Sequence, residues 1–235
     1  MPLGVVSSDN EHMKKYLLFD ADGTLYDFAA SARISLEKVF TKNGIAYTKE
    51  NFELYESGNK WCWECYEKGT LTQEELKTKR FQILFDKLNL HQSALMAGED
   101  YVENLSRAGI MLPGAVDFLE DIKDRDMSII TNGIAKTQHG RIDRTNTGKY
   151  FQHLFISQEM RLQKPDKAFF DEVLSVIGRK PEECLVIGDS DKSDIQGAIN
   201  AGIDSVWINF EGKKSERATY SVSSYKELEE LLERL

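Results

Sequence analysis

No run of apolar residues in this sequence is long enough to span a bilayer. Met1 to His12 are polar and lack the apolar segment of a signal peptide. Residues 1–12 read as an extension ahead of the fold, with Met13 as an alternative start, and the expected location is the cytoplasm. Basic charge is in short supply: 30 Lys and Arg stand against 39 Asp and Glu, a net charge of −9. Nucleic acid and anionic membranes, which need a basic face, are poor partners for such a chain. An anionic small molecule remains suitable, because a metal ion can invert the local field. Cysteine is scarce as well; the three present form no disulfide framework and suit a reducing compartment. Cys62-Trp63-Glu64-Cys65 matches C-x-x-C, but neither a βαβ context nor a second ligand pair accompanies it. On a helix, cysteines at that spacing share a face and serve as small buried apolar residues. Internal repeats and low-complexity stretches are also lacking. At 235 residues the chain fits one large domain or two modest ones, with a core that needs no disulfide or structural metal.

What is present is organised around Tyr16-Leu17-Leu18-Phe19-Asp20-Ala21-Asp22-Gly23-Thr24. An unbroken apolar run predicts a strand covered on both faces. It stops at two acids one residue apart, and the carboxyl end of such a strand opens on the ligand crevice of an α/β sheet. An ordinary acidic turn is the alternative reading. Residues 28–109 then carry helical spacing almost throughout. Asn43-Gly44 ends a first helix, Lys68-Gly69 breaks a second, and Thr72 with Glu75 forms a capping box for a third. After Leu112-Pro113-Gly114 the character changes. Helical segments alternate with short β-type runs at 127–131, 153–156, 184–188 and 205–208. Helices are expected at 115–125, 166–177, 193–201 and 225–235. The predicted fold class is α/β: a Rossmann-like parallel sheet with helices on both faces, plus an inserted all-helical cap. The core domain comprises 13–27 and 110–235, and the cap 28–109, lying over Asp20 and Asp22.

Three later strand ends carry chemistry. Thr131-Asn132-Gly133 offers a hydroxyl, an amide and an unhindered backbone N–H to phosphate oxygens, or is simply a turn. Lys164-Pro165 precedes a helix; alone, the lysine reads as a solvated surface charge. Gly188-Asp189 again runs an apolar strand into acids. Asp20 and Asp189 at the ends of adjacent strands would repel unless a cation lay between them, and all-oxygen ligation suits Mg²⁺. Asp194 either caps the following helix or supports the metal from behind its ligands.

Taken in order, Asp20-Ala21-Asp22-Gly23-Thr24, Thr131-Asn132-Gly133, Lys164-Pro165 and Gly188-Asp189 with Asp194 resemble the four motifs of the haloacid dehalogenase superfamily. That resemblance implies a Mg²⁺-dependent phosphomonoester hydrolase. Asp20 would be the nucleophile that forms an aspartyl-phosphate, and Asp22 the general acid and base. Thr131, the backbone of Asn132, and Lys164 would hold the phosphoryl group. Asp20, Asp189 and the main-chain carbonyl of Asp22 would bind the metal, with Asp194 behind them. The superfamily's dehalogenating members lack an acid at the second position, so Asp22 favours phosphoryl chemistry.

The insertion should choose the leaving group. Asn59-Lys60, Trp63, Tyr66, Gly69 with Leu71-Thr72, and Arg80-Phe81 resemble the cap of bacterial pyrimidine 5′-nucleotidases. Asn59, Lys60 and Trp63 are thereby candidate specificity residues, and a nucleoside monophosphate is the implied substrate. The aromatics would otherwise simply pack the cap. A phosphatase for phosphoglycolate or a sugar phosphate, a phosphomutase, and a non-catalytic binding protein are the competing readings. Monomer and dimer are both compatible with the sequence.

Overall fold

The computed structural model describes residues 15–235. The expectations for residues 1–12 and for Met13 lie outside the described residues. Strand β1 (Tyr16–Phe19) is fully buried along its length. Leu17 and Phe19 enter one apolar cluster, whereas Tyr16 and Leu18 enter another on the opposite face. This two-sided burial explains why the run is continuously apolar rather than alternating. The other strands are β2 (Met127–Thr131), β3 (His153–Ile156), β4 (Cys184–Gly188), β5 (Asp204–Ile208) and β6 (Tyr220–Val222). They form one sheet in the order β3-β2-β1-β4-β5-β6, with every pairing parallel. The strand order reverses between β1 and β4, so the crevice of this doubly wound sheet opens there. β6 has no counterpart in the sequence expectations. It is a three-residue edge strand in which only Val222 is buried, so no apolar run announces it.

Four helices separate β1 from the rest of the core: α1 (Phe28–Lys42), α2 (Lys49–Glu67), α3 (Gln73–Lys87) and α4 (Ala94–Ala108). They bury an apolar cluster of their own, including Phe40, Tyr55, Phe81, Phe85 and Tyr101. Together they make the helical cap over the parallel core. Thr72 caps α3 as expected: its hydroxyl accepts from the Glu75 N–H, and the Glu75 carboxylate accepts from the Thr72 N–H. α3 and α4 approach closely because Gly98 has no side chain. A Cβ there would lie 2.5 Å from the Lys77 carbonyl oxygen.

The core helices are α5 (Ala115–Asp121), α6 (Ala135–Thr145), α7 (Ser157–Met160), α8 (Lys167–Ile177), α9 (Gln196–Ala201) and α10 (Tyr225–Leu232). α5 ends four residues before the expected Arg125. The helix expected from Ser193 begins instead at Asp191, with a π-helical turn over Asp191–Ile195 capped by the Ser190 hydroxyl. The cap is thus Ser190 rather than Asp194, whose side chain is turned into the site. Among the described residues no helix is long and apolar enough to cross a membrane.

Candidate active site

Asp20 is the first residue past β1. Its N–H donates to the Ile187 carbonyl of β4 at 2.8 Å, which holds it at the mouth of the β1/β4 crevice. It is only 7% exposed. Lys164, on the segment before α8, is buried beside it. The ammonium donates to Asp20 Oδ1 at 2.6 Å, to Asp194 Oδ1 at 2.7 Å and to the Ile130 carbonyl at 3.0 Å. All three of its N–H bonds are thus used. Burial opposes the lysine's charge, but Asp194 and Asp20 more than offset that and raise its pKa. The surface-charge reading of Lys164 is corrected by this placement.

Asp194 is fully buried, and its second oxygen accepts from the Ser190 N–H at 3.0 Å. Asp189 follows directly on β4 and is exposed. Gly23 lies directly against it. Its φ is +79°, and a Cβ at Gly23 would fall 2.2 Å from Asp189 Oδ2. Asp20, Asp189 and Asp194 each offer a carboxylate oxygen, all within 4.8 Å of one another. Removal from water raises the Asp20 pKa well above the ordinary carboxylate range; Lys164 works against this, while Asp194 and Asp189 add to it. Asp189 is pushed up to about 7, first by desolvation and then by the Asp194 charge. Three carboxylates facing one ammonium leave an excess of negative charge on oxygen donors. A divalent cation such as Mg²⁺ fits that donor set.

A stability test follows from the sign of these shifts. A carboxylate whose folded pKa is raised adds stability that is complete below its unfolded pKa, about pH 4, and lost as pH rises through the folded value. Cation-free protein should therefore melt at lower temperature at about pH 8 than at about pH 5.5. Added Mg²⁺ should raise the melting temperature more at the higher pH, where the ligands are already deprotonated. Equal shifts at both values in a thermal melt would count against a cation shared by these acids.

Asp22 is placed differently. Its oxygens accept from Arg141 Nη1 at 2.5 Å and Nη2 at 2.7 Å, and from Gln138 Nε2 at 3.0 Å. Arg141 is 2% exposed, with its Cζ 4.4 Å from the Tyr26 ring centroid. Burial opposes the charge of this guanidinium, but Asp22 and its other acidic neighbours outweigh that and raise its pKa. Arg141 and Gln138 were not among the sequence candidates. They sit three apart on α6, a polar segment whose spacing looks like a solvated helix face. Only their burial against Asp22 sets them apart.

Thr131 is buried at the end of β2, and its hydroxyl accepts from the Gly133 N–H at 3.0 Å. That N–H, expected to face phosphate, is thus already engaged. The Asn132 side chain also has other work: Nδ2 donates to the Lys164 carbonyl at 2.8 Å, and Oδ1 accepts from the Lys164 N–H at 2.9 Å. The amide clasps the lysine's loop and sets where its ammonium lies. The side-chain amide thus serves the lysine's loop, and the phosphate contact expected of Asn132 is the one through its backbone, which belongs to the cavity wall.

A cavity of about 210 Å³ opens onto these groups. Its core side is formed by Asp20, Asp22, Thr131, Asn132, Lys164 and Asp189, and its cap side by Phe28, Trp63, Arg80 and Leu105. Trp63 is set edge-on to Tyr66, with ring centroids 5.7 Å apart. Asn59 lies one turn before Trp63 on the same face of α2, and its Oδ1 accepts from Arg80 Nη1 at 3.3 Å. Lys60 is not brought to the cavity: one residue round the helix from Asn59, it is exposed. Gln73, at the start of α3, donates to the Asn132 carbonyl at 3.0 Å and ties cap to core beside the site. Cys62 and Cys65 are free thiols, Cys62 buried and Cys65 half-buried.

Comparison with known proteins gives concordant results. A family model described as haloacid dehalogenase-like hydrolase matches residues 14–202. Pyrimidine 5′-nucleotidase PynA of Streptococcus pneumoniae is 34% identical over 226 residues, covering 94% of this chain and 95% of its own. Pyrimidine 5′-nucleotidase YjjG of Escherichia coli is 35% identical over 222 residues, covering 92% and 97%. Among solved structures, the HAD-hydrolase YfnB of Bacillus subtilis, bound to magnesium, superposes with a TM-score of 0.88. It is 30% identical and covers 94% of this chain and 99% of that one. A motif series in order, a carboxylate cluster at the β1/β4 crevice and a family match over most of the length converge: this chain belongs to the haloacid dehalogenase-like hydrolase family.

Proposed function

We propose that this hydrolase is a Mg²⁺-dependent phosphomonoesterase acting through an aspartyl-phosphate, with nucleoside 5′-monophosphates, pyrimidine ones foremost, as substrates. The observation that carries the reading is the Asp20 carboxylate, buried at the crevice and in contact with Lys164. In the first step an Asp20 oxygen bonds to phosphorus while the bond to the leaving oxygen breaks, and Asp22 gives that oxygen a proton. In the second, water attacks phosphorus, Asp22 takes its proton, and the Asp20–phosphorus bond breaks to release phosphate. Lys164 sets its charge beside the reacting group, where low dielectric makes it effective. Asp20, Asp189 and the Asp22 carbonyl would hold Mg²⁺, with Asp194 steadying the arrangement through Lys164. Bound there, the ion neutralises charge between nucleophile and phosphate.

Arg141 and Gln138 fix where the Asp22 carboxylate lies beside the nucleophile.

The names of the similar proteins PynA and YjjG support the nucleotide assignment. The aromatic and apolar cap wall suits a flat base. A hydrolysis panel with Mg²⁺ tests it, using UMP, dUMP, dTMP, phosphoglycolate and hexose phosphates. Pyrimidine nucleotides should be cleaved fastest. Comparable rates on the sugar phosphates would defeat the nucleotidase reading, and transfer of phosphate to a second sugar hydroxyl would indicate a mutase.

A further inference from the structure

Arg80 is a buried cation that the chemistry above does not use. It projects from α3 and is 2% exposed. Its Cζ lies 4.5 Å from the Tyr101 ring centroid and 5.6 Å from that of Phe81. Its Nε and Nη2 have no hydrogen-bond partner among the described residues, and its Nη1 makes only the 3.3 Å bond to Asn59. Arg141, equally buried, is by contrast satisfied by the Asp22 carboxylate. A desolvated guanidinium without an anion is costly, and aromatic stacking offsets that only in part. Arg80 nonetheless lines the same cavity as Asp20.

The cavity is therefore two-ended. Phosphoryl-binding groups occupy the core end, and Phe28, Trp63 and Leu105 provide apolar wall between core and cap. A forked donor with two of its three nitrogens unpartnered lies on the cap side. A guanidinium has only donors, so it selects an acceptor and rejects an amino group. Stacking on Tyr101 and the bond to Asn59 hold the fork before any ligand arrives, which lowers the cost of binding.

We infer that Arg80, oriented by Asn59, is the specificity-determining residue of the cap and receives a carbonyl oxygen of the base in the leaving nucleoside. This rests on the nucleotidase reading and adds how the base is recognised. A ring bearing carbonyls, as in uracil and thymine, meets the requirement; a ring bearing only amino groups and ring nitrogens meets it poorly.

The test compares kcat/KM for UMP, ribose 5-phosphate, phosphoglycolate and the two UMP analogues that lack either O2 or O4. Wild-type enzyme and the Arg80→Met and Arg80→Lys variants are assayed with Mg²⁺. In the wild type, at least one analogue should fall on the order of 10–100-fold below UMP, the worth of one charge-assisted hydrogen bond. In Arg80→Met the UMP rate should drop toward that analogue's rate, so that the difference between the two disappears. Arg80→Lys, which keeps the charge without the fork, should retain part of it. If both analogues match UMP in the wild type, the inference is overturned, whether or not Arg80→Met folds. It is also overturned if the carbonyl preference survives intact in Arg80→Met. A preference for phosphoglycolate that Arg80→Met removes would make Arg80 a carboxylate reader instead and would equally overturn it. Wild-type UMP hydrolysis no faster than that of ribose 5-phosphate would sink the nucleotidase reading itself, an outcome distinct from loss of the Arg80 assignment alone.

Discussion

Asp20→Asn should lower kcat by about 10⁴-fold or more while leaving the protein folded. The amide has nearly the shape of the carboxylate but is too weak a nucleophile to displace an alkoxide from phosphorus. The fold should tolerate the change for a local reason. Asp20 is one of three groups that accept from Lys164, so the ammonium keeps Asp194 and the Ile130 carbonyl when the Asp20 charge is removed. Relief of repulsion among the three crowded carboxylates further offsets the lost pair. The measurement is phosphate release from 4-nitrophenyl phosphate and UMP, alongside circular dichroism. Mass spectrometry should establish that the introduced amide has not deamidated. Substantial turnover by the intact Asp20→Asn variant would remove Asp20 from the nucleophile's role.

Lys164→Met should damage both stability and activity, and the two effects should be separable. Removing the ammonium leaves Asp20 and Asp194 facing each other in a site with little water. Breaking a buried pair in this way costs about 3–5 kcal/mol, because an uncompensated charge remains. Activity should fall by about 10²-fold or more, since the reacting phosphoryl group loses a fixed positive charge. Adding Asp194→Asn should recover much of the stability by removing one of the stranded charges, yet leave activity low. Urea unfolding of the single and double variants, with phosphatase assays on each, checks both halves. Full stability of Lys164→Met would mean that the ammonium does not hold the two acids together. Recovery of activity in the double variant would mean that its charge does not act on the phosphate.

The elements most legible in the sequence are those set by local rules. β1 follows from an apolar run that ends at acids, and the α3 start follows from Thr72 and Glu75. The parallel sheet follows from alternating helical and β-type segments after residue 112. Where the local rule is weak, the reading fails. β6 has a single buried residue and one neighbouring strand, so its pairing rather than its composition makes it a strand. α5 runs out at Asp121, and its periodicity gave no sign of that early end. At the crevice, the order of four motifs and their resemblance to the superfamily marked Asp20, Asp22, Thr131, Asn132, Lys164, Asp189 and Asp194; taken singly, those residues read as turns, a cap or a surface charge.

What each of those residues touches was decided by the tertiary structure. Asn132 looks like a phosphate ligand in a list of residues; folded, its amide clasps the backbone of Lys164, thirty-two positions away. Asn59 and Lys60 are adjacent in sequence, but one turns toward Arg80 and the other toward solvent. Arg141 and Gln138 look like a solvated helix face until α6 is laid against Asp22. In the sequence Arg80 enters only through the cap resemblance, with no role of its own, until the rings of Tyr101 and Phe81 lie against it. By itself the sequence determined the strand–helix alternation and which chemical groups are available, because backbone periodicity and side-chain type are local properties. Which charges are paired, which are left without a partner, and which face the cavity depends on burial and on contacts between distant segments, and only the folded chain decides those.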